Sequence, residues 1–248
     1  MSDRETLLHS SEDQPTLARG GLLGLTGLLT GLERLDSILT LPALPDRADP
    51  GQPFGRFRLL ARAGEGSYGI VLLAADPRIG GREVAVKVPR PVVLSDPATR
   101  DRFVREARAA GVLTHTGISV VYEAGEIDGL PYLASGFVDG PTLGGWLARL
   151  GSPRPPREAA RLVRDLARAV HHAHERGILH CDLKPANVLM RPSPDAEPVP
   201  VVTDFGIARI LTDDPNHTAT YRPAGTPLYM SPEQARGDRR NLTARTDV

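Results

Sequence analysis

Cysteine occurs once among 248 residues, as Cys181. A single thiol excludes an internal disulfide and any cysteine-built zinc site, and a reducing cytoplasm is the expected compartment. Charge of one sign is not in excess either: 30 basic residues face 30 acidic ones. No block of like charge suggests a nucleic-acid groove or a polybasic membrane patch. No stretch reaches the ~20 apolar residues of a membrane span. The opening Met1-Ser2-Asp3-Arg4-Glu5 carries acids and no immediate apolar run, so no secretory leader is expected. Lysine is nearly absent: two residues, Lys87 and Lys184, stand against 28 arginines. Arginine's planar fork cannot replace a compact ammonium in a tight phosphate site. The surroundings of these two lysines therefore carry information.

Along the chain, residues 1–20 are polar and read as a disordered tail. Residues 21–53 form a second unit, a Leu/Gly-rich segment followed by a Pro- and Asp-rich linker. Leu25, Leu28, Leu29, Leu32, Leu35 and Leu39 fall on one helical face, while Gly24, Gly27 and Gly31 oppose helix formation. The pattern fits a docking helix over 21–41 or a marginal linker helix. From Phe54 the pattern changes. Residues 57–60, 69–75, 83–88, 120–122 and 132–134 read as strands. Residues 97–113, after Ser95-Asp96, and 157–176 read as helices. Strands first and helices later predict a two-part α+β architecture.

The strands carry Gly64-Glu65-Gly66-Ser67-Tyr68-Gly69-Ile70-Val71, a G-x-G-x-x-G-x-V pattern. Glycines let backbone N–H groups approach phosphates without an intervening Cβ. Alone the pattern is weak, since a glycine-rich hairpin can be a plain turn. No Gly-Lys-Ser/Thr follows, and a strand rather than a helix comes next, so Walker and dinucleotide loops are both excluded. Lys87 ends Val84-Ala85-Val86-Lys87, and Glu106 lies mid-helix, where a carboxylate could orient that lysine. Without the other motifs, an i,i+4 surface charge is the favoured reading of Glu106. Further on stand His180-Cys181-Asp182-Leu183-Lys184-Pro185-Ala186-Asn187, Asp204-Phe205-Gly206, Gly225-Thr226-Pro227 and Ser231-Pro232-Glu233.

In these ordered motifs the chain resembles the eukaryotic-like (Hanks-type) serine/threonine protein kinases, which also occur in bacteria, from about Phe54 to Val248. The resemblance implies a two-lobed fold over 54–248, with a β-rich small lobe and hinge over 54–138 and a helical large lobe over 139–248. It implies ATP and Mg²⁺, and protein substrates bearing Ser or Thr. Asp182 is then the catalytic acceptor of the hydroxyl proton, Lys184 neutralises the transferring phosphoryl, and Asn187 and Asp204 are the Mg²⁺ ligands. The position of Lys184 favours Ser/Thr over Tyr substrates. Lys87 holds the α/β-phosphates and is fixed by Glu106. Gly64, Gly66 and Gly69 cover the phosphates. Val71, Ala85 and Leu189 sandwich adenine, while the backbone of Gly136 and Val138 reads its edge. Ser135 takes the gatekeeper place, and its small side chain should leave a back pocket open. Thr226 packs beside the acceptor hydroxyl. His180 packs on Phe205, and the resemblance makes His171, His172 and His174 structural rather than metal ligands.

Departures from the family pattern are also legible. Cys181 stands where regulated members carry arginine, so phosphorylation of Thr218, Thr220 or Tyr221 should matter less here. Arg191 to Pro200 is a longer proline-rich turn than usual. Asp247 matches the residue that opens the family's long central helix, so the large lobe is expected to be C-terminally truncated and the arginine partner of Glu233 missing. A nucleotide-binding pseudokinase or regulatory scaffold is the alternative reading that such truncation allows. A small-molecule kinase of similar fold is a third, disfavoured by the substrate-platform motifs around Thr226 and Pro232.

Overall fold

In the computed structural model of the chain, the described residues are 52–66, 69–89, 97–194, 197–205 and 227–248. The tail, the 21–41 segment, Ser95-Asp96, Gly206, Thr218, Thr220, Tyr221 and Thr226 lie outside them.

Alternating apolar residues build the first layer. Strands β1 (Pro53–Phe54), β2 (Phe57–Gly66), β3 (Gly69–Asp76), β4 (Arg82–Pro89), β5 (Val121–Ile127) and β6 (Leu130–Gly136) form one antiparallel sheet in the order β1-β2-β3-β4-β6-β5. Val84, Val86 and Val88 of β4 are fully buried on one face with Phe57, Leu59 and Leu72. Phe54 and Phe57 both meet the Tyr132 ring edge-on, at 5.9 and 5.4 Å. The residues between the valines, Ala85 and Lys87, take the opposite face. Register sets Lys87 opposite Val71 and Leu133, and Ala85 opposite Ser135, so these five share that face.

Helix α1 (Pro97–Ala110) starts on a proline, which suits a first turn, and buries Phe103 and Ala107 against Ala124 and Leu133 of the sheet. It ends three residues before the expected limit. Gly111 closes onto the Arg108 carbonyl at 3.0 Å, and the chain turns so that Leu113 is buried and Val112 exposed.

The second layer is helical. Helix α2 (Leu143–Leu150) is capped by Thr142, whose Oγ1 accepts from Gly145 N–H at 3.1 Å, and stops at Gly151, where φ is +65°. Helix α3 (Pro156–His174) buries Ala169 and Ala173 with Leu162 and Leu166 against the hairpin of β7 (Val188–Arg191) and β8 (Val199–Val202). The lobes are stitched by backbone: Ser119 N–H donates to Val202 at 2.9 Å, and Val202 N–H to Gly117 at 2.8 Å. That stitch brings Thr203, Asp204 and Phe205 under the open face of the sheet. The α+β order of the sequence reading is the one observed.

At the far edge of the sheet Arg56 holds two carboxylates, Asp76 at 2.9 Å and Glu123 at 2.7 Å, and Tyr132 donates its hydroxyl to Glu123. The Arg56 hydrogen bond is the main cause that keeps both carboxyls below their usual range. The Asp76 side chain is only 5% exposed, so it cannot fall back on water. Arg56→Leu is therefore expected to destabilise the fold by about 2 kcal/mol, read from urea unfolding. A loss below about 0.5 kcal/mol would mean the charges relax into solvent.

Candidate active site

A cleft of about 540 Å³ separates the sheet from the β7–β8 hairpin, within the range of small-ligand sites. Gly64, Gly69, Val71, Ala85 and Lys87 line its roof, and Asn187, Leu189 and Asp204 its floor. The two glycines differ. A Cβ at Gly69 would lie 2.1 Å from the Val88 carbonyl, so glycine there is demanded by the close approach of β3 to β4. At Gly64 a Cβ would meet nothing within 4 Å. Gly66 lies at the end of β2 beside them.

At the back of the cleft the chain crosses from sheet to helix. Gly136 N–H is taken by the Val120 carbonyl at 2.8 Å, and its carbonyl accepts from Ser119 Oγ at 3.0 Å. The Val138 N–H donates to no described residue. Ser135 lines both the cleft and a further void of about 30 Å³ behind it, bordered by Ala107, Leu113 and Phe205. That void is on the scale of a single water molecule.

Lys87 is 8% exposed. Its Nζ lies 2.7 Å from Asp204 Oδ2. The Lys87–Glu106 pair expected from sequence is not formed. Asp204 adopts φ +65°, which turns its carboxylate up to β4, while Glu106 stays on α1, half-buried. A buried ammonium takes the carboxylate that reaches it.

Below, the loop from His180 to Asn187 presents Asp182, 6% exposed. Its Oδ2 accepts from Lys184 Nζ at 2.7 Å and from Asn187 Nδ2 at 2.9 Å. Its Oδ1 is buried and meets no donor among the described residues. Such an atom is costly unless something is meant to reach it. Lys184 therefore sits on the carboxylate, beside the floor of the cleft.

His180 holds the loop from behind. It is fully buried, with its ring 4.8 Å from Phe205, as the resemblance implies. Its Nε2 lies 2.8 Å from the Thr203 carbonyl, and its Nδ1 accepts from Asp182 N–H at 3.2 Å. Those partners require a neutral ring with its proton on Nε2. Burial, foremost, pushes its pKa down, and burial does the same to His172. The unfolded imidazoles protonate near pH 6.5 while the folded ones resist. Stability is then complete above about pH 6.5 and declines as pH falls below it toward the folded values. We expect the melting temperature to drop measurably between about pH 7.5 and 5.5; a flat profile would mean that neither ring is held neutral.

Three long-range contacts are not legible in the sequence. Asp247, with a side chain 1% exposed, accepts from His180 N–H at 2.8 Å and Cys181 N–H at 2.7 Å, and contacts His174 Nε2 at 2.8 Å. Glu233 accepts from Thr246 Oγ1 at 2.7 Å. Gln234 donates to the Cys181 carbonyl at 2.6 Å. The neighbouring histidines point apart: His171 to Glu175, His172 to His115, His174 to Asp247. Among the described residues no group of three or more His, Cys, Asp or Glu is placed to hold a metal.

The donor set nonetheless fits a hard divalent cation bound together with a phosphate. Asn187 spends its amide nitrogen on Asp182, which leaves its oxygen for a ligand, and the Asp204 side chain is 28% exposed to the cleft.

Known proteins are similar to this chain in sequence and fold. The profile of the family described as "Protein kinase domain" matches residues 57–248. "Serine/threonine-protein kinase PknB" of Mycobacterium leprae is 41% identical over 84% of this chain and 32% of its own length. "Serine/threonine-protein kinase PknF" of Mycobacterium tuberculosis is 38% identical over 79% of this chain and 41% of its own length. The chain thus spans about a third of the curated relatives it matches. The crystal structure of the Mycobacterium tuberculosis PknI kinase domain superposes with a TM-score of 0.63 at 31% identity, covering 80% of this chain and 72% of that one.

Proposed function

This chain belongs to the protein kinase family, and from that premise we propose that it transfers the γ-phosphate of ATP to serine and threonine hydroxyls of proteins. The observation that carries the proposal is the state of Asp182. One carboxylate oxygen is doubly held by Lys184 and Asn187, and the other is buried with no partner among the described residues. An acceptor so fixed takes the proton of an incoming hydroxyl as the oxygen attacks phosphorus. Lys184, 2.7 Å away, is placed to follow the charge that develops on the phosphoryl oxygens.

ATP lies in the 540 Å³ cleft in this reading. Val71, Ala85 and Leu189 enclose the base, Val138 N–H and the Gly136 carbonyl meet its edge, and the loop of Gly64, Gly66 and Gly69 covers the phosphates. Lys87 grips the α/β-phosphates. Its present partner is Asp204, and Glu106 is the carboxylate assigned to it when Asp204 turns to metal. Mg²⁺, held by Asn187 and Asp204, supplies charge neutralisation on the phosphates. Thr226 stays assigned to the substrate side. Protein substrates, and the cytoplasm, whose reducing conditions suit a chain with a single cysteine, complete the proposal.

The test is transfer of labelled γ-phosphate to a generic basic protein, with and without Mg²⁺. Mg²⁺-dependent labelling on serine and threonine supports the reading. No labelling, with Mg·ADP still raising the melting temperature, would replace it by nucleotide binding alone.

A further inference from the structure

Gln234 lies on a one-turn helix, Pro232–Ala235, that opens with a reciprocal cap. Its backbone N–H donates to Ser231 Oγ at 3.4 Å, and its side-chain oxygen accepts from Ser231 N–H at 3.1 Å. Capping needs no more than that. Yet the other end of the amide, Nε2, donates to the carbonyl of Cys181 at 2.6 Å, 53 residues away in sequence.

That carbonyl is a sensitive point. Cys181 holds φ at +61°, a left-handed conformation that a side chain disfavours and that surroundings must enforce. Its N–H is fixed by Asp247 at 2.7 Å. Its carbonyl belongs to the peptide that leads into Asp182, and the N–H of that same peptide donates to His180 Nδ1 at 3.2 Å. Gln234 thus grips one side of the Cys181–Asp182 peptide plane and His180 the other. The tilt of that plane sets where the Asp182 carboxylate starts. Lys184 and Asn187 then hold Oδ2 at 2.7 and 2.9 Å, so the peptide plane and these two bonds together aim Oδ1.

We propose that Gln234 is a positioning residue for phosphoryl transfer. It holds the peptide before Asp182 and ties the Ser231–Gln234 segment, where the protein substrate is read to lie, directly to the catalytic loop. The inference rests on the kinase reading above. It predicts that the docking segment and the proton acceptor move as one body.

Gln234→Glu separates this role from capping. A glutamate oxygen still accepts from Ser231 N–H, so the cap survives, but no N–H remains for the Cys181 carbonyl. Hydrogen exchange on the full chain reads the clamp without any need for activity. In Gln234→Glu the amides of Cys181 and Asp182 should exchange roughly tenfold faster, with Phe57–Gly66 unchanged. In steady-state kinetics kcat should fall between about tenfold and a hundredfold, with the KM for ATP within about twofold, because only the aim of the acceptor is disturbed. Gln234→Ala, which loses cap and clamp together, should cost no more kcat than Gln234→Glu, although it melts lower. Unchanged loop exchange in Gln234→Glu overturns the clamp, whether or not the chain transfers phosphate. Faster exchange with unchanged kcat overturns the positioning role. A parent chain that never transfers phosphate overturns the kinase reading and the catalytic half of this one, and exchange alone then judges the clamp.

Discussion

Replacing Asp182 by asparagine is expected to lower the rate of phosphoryl transfer by about a thousandfold and leave nucleotide affinity within about twofold. The geometry says why an isostere should be so damaging. The Oδ2 position faces two donors, the Lys184 ammonium at 2.7 Å and the Asn187 amide at 2.9 Å. An asparagine NH₂ placed there would meet two N–H groups head-on. The side chain must therefore turn its oxygen to that position and its NH₂ to the place of Oδ1. Oδ1 meets no donor among the described residues and is the proposed acceptor. The variant presents a donor where, in the proposed reaction, the substrate hydroxyl gives up its proton, and the packing of the loop is otherwise kept. The measurement pairs kcat at saturating ATP with the rise in melting temperature on adding Mg·ADP. A variant that kept more than about a tenth of the parent rate would show that Oδ1 is not the acceptor, and the assignment of Asp182 would fail.

Asp247→Ala should cost about 3 kcal/mol of unfolding free energy, the largest single loss expected from any side chain away from the cleft. Its carboxylate accepts from two buried backbone N–H groups and from a histidine, all between 2.7 and 2.8 Å. Truncation leaves the His180 and Cys181 amides dry and unpaired, since the Asp247 side chain is only 1% exposed. The left-handed backbone of Cys181 then loses one of the bonds that hold it, so loop exchange should rise as stability falls. Urea unfolding measures the first effect and hydrogen exchange over the loop the second. Asp247→Asn should fall between, because it keeps one oxygen for one of the two amides. If alanine cost less than about 1 kcal/mol, water would have to reach both amides, and the hub would be ornamental.

Much of this molecule follows from its sequence because the relevant signals are local. The β4 alternation separates a valine face from a face carrying Ala85 and Lys87 through the two-residue repeat of a strand, and the structure keeps that division. The periodicity of α3 buries Leu162, Leu166, Ala169 and Ala173 together. The resemblance added the members of the cleft, and Val71, Ala85, Lys87, Asn187, Leu189 and Asp204 do converge on it.

What the tertiary structure alone decided is who bonds to whom across long stretches of chain. Lys87 took Asp204, 117 positions away, rather than Glu106. The loop of residues 180–187 took Asp247, 67 positions from His180, and Gln234, 53 from Cys181. Histidines that stand side by side in sequence were sent to three different partners. Periodicity fixes the face on which a side chain emerges. The carboxylate or amide it meets depends on how separate elements close on one another, and a buried charge or N–H then accepts whichever partner lies within about 3 Å.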